Sequence, residues 1–248
     1  MSQLVDISAA KEFMKETLDR VDRAELISMA SDLDAKSRHF RYVLSADRIG
    51  QLTPSDVTSL LKLTFATRRH HAQITEAQSH DVLAKEIGNL LHGDQLVEDR
   101  FERFVNQVQG GDAGMRTELA GEILHFTKPD IYWLWSRWMW DPAKKTGAIP
   151  LLTTEEFDLQ GSHPGEIYKK VGKGIAFVHS IGDAAEFRFI SNNLFGTDVF
   201  LACVYVVYAY TVLRLRMTQE FNKVMPGLPE FTRRLLGIYR MPQLVEKI

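Results

Sequence analysis

The chain has 248 residues and a formal net charge of −2, with 45% apolar and 25% charged residues. That length fits one large domain or two small ones, and such a chain buries enough surface to fold without a metal or disulfide staple. The ordinary composition excludes extensive disorder, and the near-neutral total excludes a chain basic throughout, of the kind that coats nucleic acid or anionic membrane.

In chain order, the opening stretch MSQLVDISAAKEFMKETLDR carries early acids and lacks the apolar core of a signal peptide. Residues 1–34 hold four Lys/Arg against eight Asp/Glu, whereas residues 214–248 hold seven against three. Such runs read as solvated helical faces; the sharper readings are that the two ends dock on each other or that the basic end meets an acidic partner. Helical periodicity dominates the first 140 residues. Thr53-Pro54-Ser55-Asp56 reads as an N-cap, Pro at the first helical position and an acid reaching back. The helix opened there is expected to end at Arg68-Arg69-His70-His71, where cations suit the dipole. Arg38 and Arg41, three apart, would join Arg68, Arg69 and Arg48 in an anion-binding patch for phosphate, nucleotide or an acidic partner helix. Leu83, Ile87, Leu90 and Leu91 form one helix face, with Gly93 at its end. Val97, Phe101, Phe104 and Val105 form the next, then Met115, Leu119, Ile123 and Phe126.

That last helix also carries Glu118, Glu122 and His125 on one side. Glu-x-x-His is the way helical bundles present ligands to paired iron or manganese, so these three are the candidate metal ligands. A full site needs a second copy, and none is present; a surface pair or a satisfied half-buried hydrogen bond is the plainer reading.

Thr127-Lys128-Pro129-Asp130 repeats the Thr-x-x-acid pattern, which predicts a helix over the aromatic run that follows, ended by Asp141-Pro142. All four tryptophans lie between residues 133 and 140. On a helix, Ile131, Trp135 and Trp138 share one face, and Trp133, Arg137 and Trp140 share another. Both faces covered makes this a core helix. One face open makes Trp133, Arg137 and Trp140 a slot for a flat or anionic ligand. Residues 142–164 hold three prolines and two glycines and read as a surface loop with at most a short hairpin near Ile149–Leu152. Helix resumes near Gly165 and continues with interruptions to about Ser191; Gly172-Lys173-Gly174 reads as a flexible break. The apolar run from Val199 to Leu213 is shorter than a membrane span and predicts a buried central helix over about 198–222. Its Tyr205 and Tyr208 share a face and would line a pocket beside the Trp-rich helix or pack in the core. Cys203, the single cysteine, sits in that run and reads as a small hydrophobe. A last helix is expected over about 231–239.

These readings point to an all-α fold, a single domain over 1–248 built as a bundle-like array of nine or ten helices. The leading function is an interaction or accessory protein that binds another protein or itself. The alternatives are an enzyme or binder of a small molecule or metal, and a nucleic-acid binder through arginine clusters, which the near-neutral charge disfavours. No transmembrane segment is expected, cysteine poverty suits a cytoplasmic location, and no cofactor is indicated.

Overall fold

Short polar side chains start most of the helices. In the computed structural model, which describes residues 4–216, 226–239 and 241, Asp6 accepts from the Ala9 N–H at 2.9 Å and opens α1 (Ile7–Leu18). Asp22 accepts from Glu25 N–H at 2.7 Å at the start of α2 (Arg23–Val43). Thr53 and Asp56 cap each other reciprocally on α3 (Pro54–Leu63). α4 (His71–Thr75) is short, and Ser79 caps α5 (His80–His92). α6 (Val97–Gln107) follows, and Asp112 caps α7 (Ala113–Thr127) through Met115 N–H at 2.7 Å. With α8 (Pro164–Ser180), α9 (Leu194–Arg216) and α10 (Leu228–Leu235) there are ten α-helices and no strand among the described residues. Each cap supplies an acceptor for N–H groups that have no partner inside the helix.

The chain forms two compact units, each assembled from separated segments, and α2 and α8 contribute to both. Among the described residues the first comprises 4–33, 138–157, 174–216 and 226–239. Its spine is α9, buried from Val199 to Val204, with α1 and α10 packed on it. Phe187 stacks on Phe200 with centroids 4.1 Å apart. Burial pushes the Cys203 thiol up to about 12, so it behaves as the small hydrophobe expected. The helix begins upstream of Asp198, so its apolar stretch, Leu194–Val212, has 19 residues and a mean hydropathy of 1.5. By length and composition it could cross a bilayer; 72% of that stretch is buried inside the protein. Its expected end at Asn222 lies outside the described residues.

The oppositely charged ends do meet. Arg233 on α10 donates to Glu25 Oε1 at 2.9 Å, to Ser28 Oγ at 3.1 Å and to Asp32. Within this unit the non-helical excursion expected from residue 142 is anchored to the core by part of its length. Asp141 and Thr146 bridge, Ile149–Leu151 form a 3-10 turn, and Thr153 bridges Val5. Ile149 and Leu152 are fully buried, because apolar side chains in a loop gain as much from burial as those in a helix.

Among the described residues the second unit comprises 34–137, 158–173 and 241. Its centre is α7, buried on every side from Thr117 to Phe126, with α5 and α6 packed against it. Phe101 lies between Trp135 and Tyr168, at centroid distances of 5.6 and 4.4 Å.

The tryptophan-rich segment is not a helix. Lys128, at φ −135° and ψ 66°, ends α7, because a residue that precedes proline is pushed out of the α region. Thr127-Lys128-Pro129-Asp130 is thus a stop, and residues 132–136 have no regular secondary structure before a turn at 137–139. The segment doubles back along α7. A Cβ at Gly121 would sit 2.6 Å from the Trp135 carbonyl oxygen, so glycine there lets two backbones touch. Gly172 and Gly174 form no break either: both lie inside α8, and a Cβ at Gly172 would meet the Trp133 ring at 2.6 Å.

Candidate functional site

The most concentrated chemistry in the second unit surrounds α7. The Glu118 carboxylate accepts from Ser136 Oγ and from Arg137 Nε, each at 2.5 Å. Burial pushes the Glu118 carboxyl up, and the bonds from Ser136 and Arg137 oppose that shift. Glu122 turns the other way: Oε2 accepts from Lys36 Nζ at 2.5 Å and Oε1 from the Phe65 N–H at 3.2 Å. The Lys36 side chain is 0% exposed and that of Glu122 5%, with the Lys36 ammonium 4.2 Å above the Phe126 ring. His125 Nδ1 lies 2.9 Å from the Tyr132 carbonyl oxygen, which can only accept, so Nδ1 carries a proton.

These three residues are therefore near in sequence and divided in use. Glu118 and His125 address the tryptophan-rich segment, whereas Glu122 addresses α2 and the turn after α3. Among the described residues, no group of three or more His, Cys, Asp or Glu is placed to hold a metal ion. The arrangement can neutralise charge inside the unit and tie three chain segments to one helix.

The proposed aromatic slot loses its basis with the helix that would have built it. Trp133 rests against α8 at Gly172 in the second unit, and Trp140 is buried in the first. Arg137, exposed, is held by Glu118 at 2.5 Å and lies 3.7 Å from Asp112. Tyr205 and Tyr208 are half-buried on α9, and Trp138 lies beside Tyr205 at 6.5 Å.

The cationic candidates fare differently. Arg68 and Arg69 lie beyond the end of α3, in a turn over residues 65–70, because that helix stops at Leu63 and not at the arginines. Arg38 and Arg41 are exposed on α2. The two elements adjoin: His39 on α2 bonds Ser59 on α3 at 2.9 Å, and Lys36 and Phe65 share the Glu122 carboxylate. Residues 35–72 hold seven Lys/Arg against two Asp, a net of +5 in a chain of −2. Arg38 meets Asp34 at 3.4 Å in an exposed pair; Arg41, Lys62 and Arg69 have no ion-pair partner among the described residues. Tyr42 is 62% exposed with the Arg48 guanidinium 4.2 Å over its ring, and Phe65 is 39% exposed. A basic surface with two uncovered aromatic rings is the clearest outward-facing feature of this unit.

One grouping escapes any reading of sequence spacing. In the first unit, His179 Nδ1 lies 2.7 Å from Thr197 Oγ1, and its Nε2 lies 3.3 Å from Arg188 Nη1. Arg188 also donates to the His179 carbonyl at 2.8 Å. Asp198, buried beside Thr197, adds a nearby negative charge. Burial, then Arg188, hold the His179 imidazole below its ordinary value, with Asp198 opposing. Because arginine only donates, Nε2 accepts, which leaves the proton on Nδ1 for Thr197. The sole hint in the sequence is a histidine at the end of α8.

No protein-family model, no curated protein and no solved structure matches this chain.

Proposed function

We propose that the protein is a helical interaction or accessory protein that holds another protein on its surface. One contrast supports the reading. Glu118 and Glu122 of α7 are consumed by partners within their own unit, whereas Arg41, Lys62 and Arg69 face outward with no ion-pair partner among the described residues. Buried charges matched in this way serve the architecture, and unmatched exposed ones are available to something else. The buried single thiol is in keeping with a reducing compartment such as the cytoplasm. Native mass spectrometry of protein purified from its own host tests the proposal. A retained polypeptide is the expected result; a retained small molecule or metal with no polypeptide would refute it.

A second reading, a small-molecule enzyme, draws on the His179 grouping, where an imidazole, a hydroxyl and a guanidinium converge beside a buried carboxylate. Such a set can move a proton. A ligand that perturbs the His179 ring resonances in NMR would favour it over the first.

A further inference from the structure

Resting on the interaction reading above, we infer that the basic face of α2 and the 65–70 turn docks an acidic polypeptide segment bearing an aromatic or aliphatic side chain. Arg41 and Tyr42 lie three and four residues after Arg38 on one helix, and Arg48 stacks on Tyr42. Phe65 and Arg69 extend the surface from the adjoining turn. Several exposed cations of this unit are answered by carboxylates, Lys169 by Glu98 at 2.7 Å, Lys170 by Asp158 at 2.7 Å and Arg103 by Glu86 at 3.2 Å, whereas Arg41, Lys62 and Arg69, gathered on one face, have no ion-pair partner among the described residues. Nearby acids are few and engaged. Asp56 accepts from Thr53 N–H and Oγ1, Asp47 is bonded by Ser45, and Asp34 faces Arg38. With Lys36 buried on Glu122 and Arg38 met by Asp34, the net +5 of residues 35–72 leaves +3 on the face.

Charge complementarity sets the sign of the occupant and the exposed rings set its apolar component. A net of −2 for the whole chain against +5 for residues 35–72 leaves −7 for the rest. With charges screened over about 8 Å at physiological salt, a short acidic segment sees only the basic face. The net −7 of the rest of the chain disfavours a long polyanion, so the short acidic polypeptide is the better match. The Lys36–Glu122 bond and the Glu122–Phe65 bond hold the two elements together from beneath, so the face is set before a partner arrives.

The experiment is fluorescence anisotropy on the full chain with a fluorescein-labelled peptide of alternating glutamate and leucine, beside single-stranded DNA of equal length. Wild type should bind the peptide, and binding should weaken as NaCl rises. Arg41→Glu/Arg69→Glu should weaken it roughly tenfold or more, and Tyr42→Ala severalfold with little change in salt dependence. Both variants should keep the wild-type circular dichroism; should the charge reversal fail to fold, Arg41→Gln/Arg69→Gln replaces it. Peptide binding that is absent, or unchanged in the charge-reversed protein, overturns the inference, and so does tighter binding of the DNA. Native mass spectrometry of the reversed variant separates the two levels. A partner retained by wild type and variant alike removes this face but leaves the interaction function standing, whereas no retained polypeptide in wild type removes both.

Discussion

Lys36 and Glu122 offer the sharpest stability test. Their side chains are 0% and 5% exposed, with Nζ and Oε2 2.5 Å apart. At an effective dielectric near 20, that separation corresponds to roughly 6–7 kcal/mol of attraction before desolvation, and removing two ions from water offsets much of it. The net worth of the pair is thus small, but breaking it is costly. Lys36→Met leaves a buried carboxylate that accepts from the Phe65 N–H without its balancing cation, at about 3–5 kcal/mol. Glu122→Gln removes the charge that balances the buried ammonium beside the Phe126 ring, with a similar loss. Lys36→Met/Glu122→Gln removes both charges while the glutamine oxygen still accepts from Phe65. Its loss should be about 1–3 kcal/mol, well below the sum of the single losses. Urea unfolding followed by far-ultraviolet circular dichroism and by tryptophan fluorescence measures all four proteins, and the two probes together check for stepwise unfolding of the two units. Single variants that add to the double within about 0.5 kcal/mol would refute the argument.

Gly121→Ala should destabilise by about 1–3 kcal/mol even though alanine is the better helix former by about 1 kcal/mol, since the new Cβ would lie 2.6 Å from the Trp135 carbonyl oxygen. A raised melting temperature would contradict the close approach. Trp135→Ala should cost about 3–5 kcal/mol by emptying the space beside Phe101, and a wild-type denaturation midpoint would show that the ring is not part of the core. His179, held below 6.5 in the folded state, makes stability fall as pH drops. The unfolded chain takes up the proton first, at about pH 6.5, so the contribution is complete above that value and is lost below it until the folded imidazole also titrates. His179→Gln should therefore flatten the pH dependence of the urea midpoint between about pH 7.5 and about pH 5.5; equal slopes in both proteins would remove His179 as a source.

Much of the helical framework was legible because its causes are local. Thr53 and Asp56 satisfy each other's backbone N–H across three residues, and the spacing of Leu83, Ile87 and Leu90 marks a face wherever the helix goes. The apolar run of α9 had to be buried or embedded, and it forms the spine of its unit. Residues 131–140 misled because aromatic side chains suit extended chain and helix alike, and the one decisive local signal, Lys128 before Pro129, was open to reading as a start as well as a stop.

The division of the chain into two units, the parting of Glu118 from Glu122, and the meeting of His179 with Thr197 and Arg188 were beyond local reading. The sequence alone determined where helices begin, which stretches must leave water, and that positive charge gathers in residues 35–72, since capping, apolar burial and charge count act within a few residues. Only the tertiary structure decided which polar groups are spent on one another and which face outward. A side chain's partner depends on the segment that arrives beside it, and for Lys36 that partner, Glu122, lies 86 residues away along the chain.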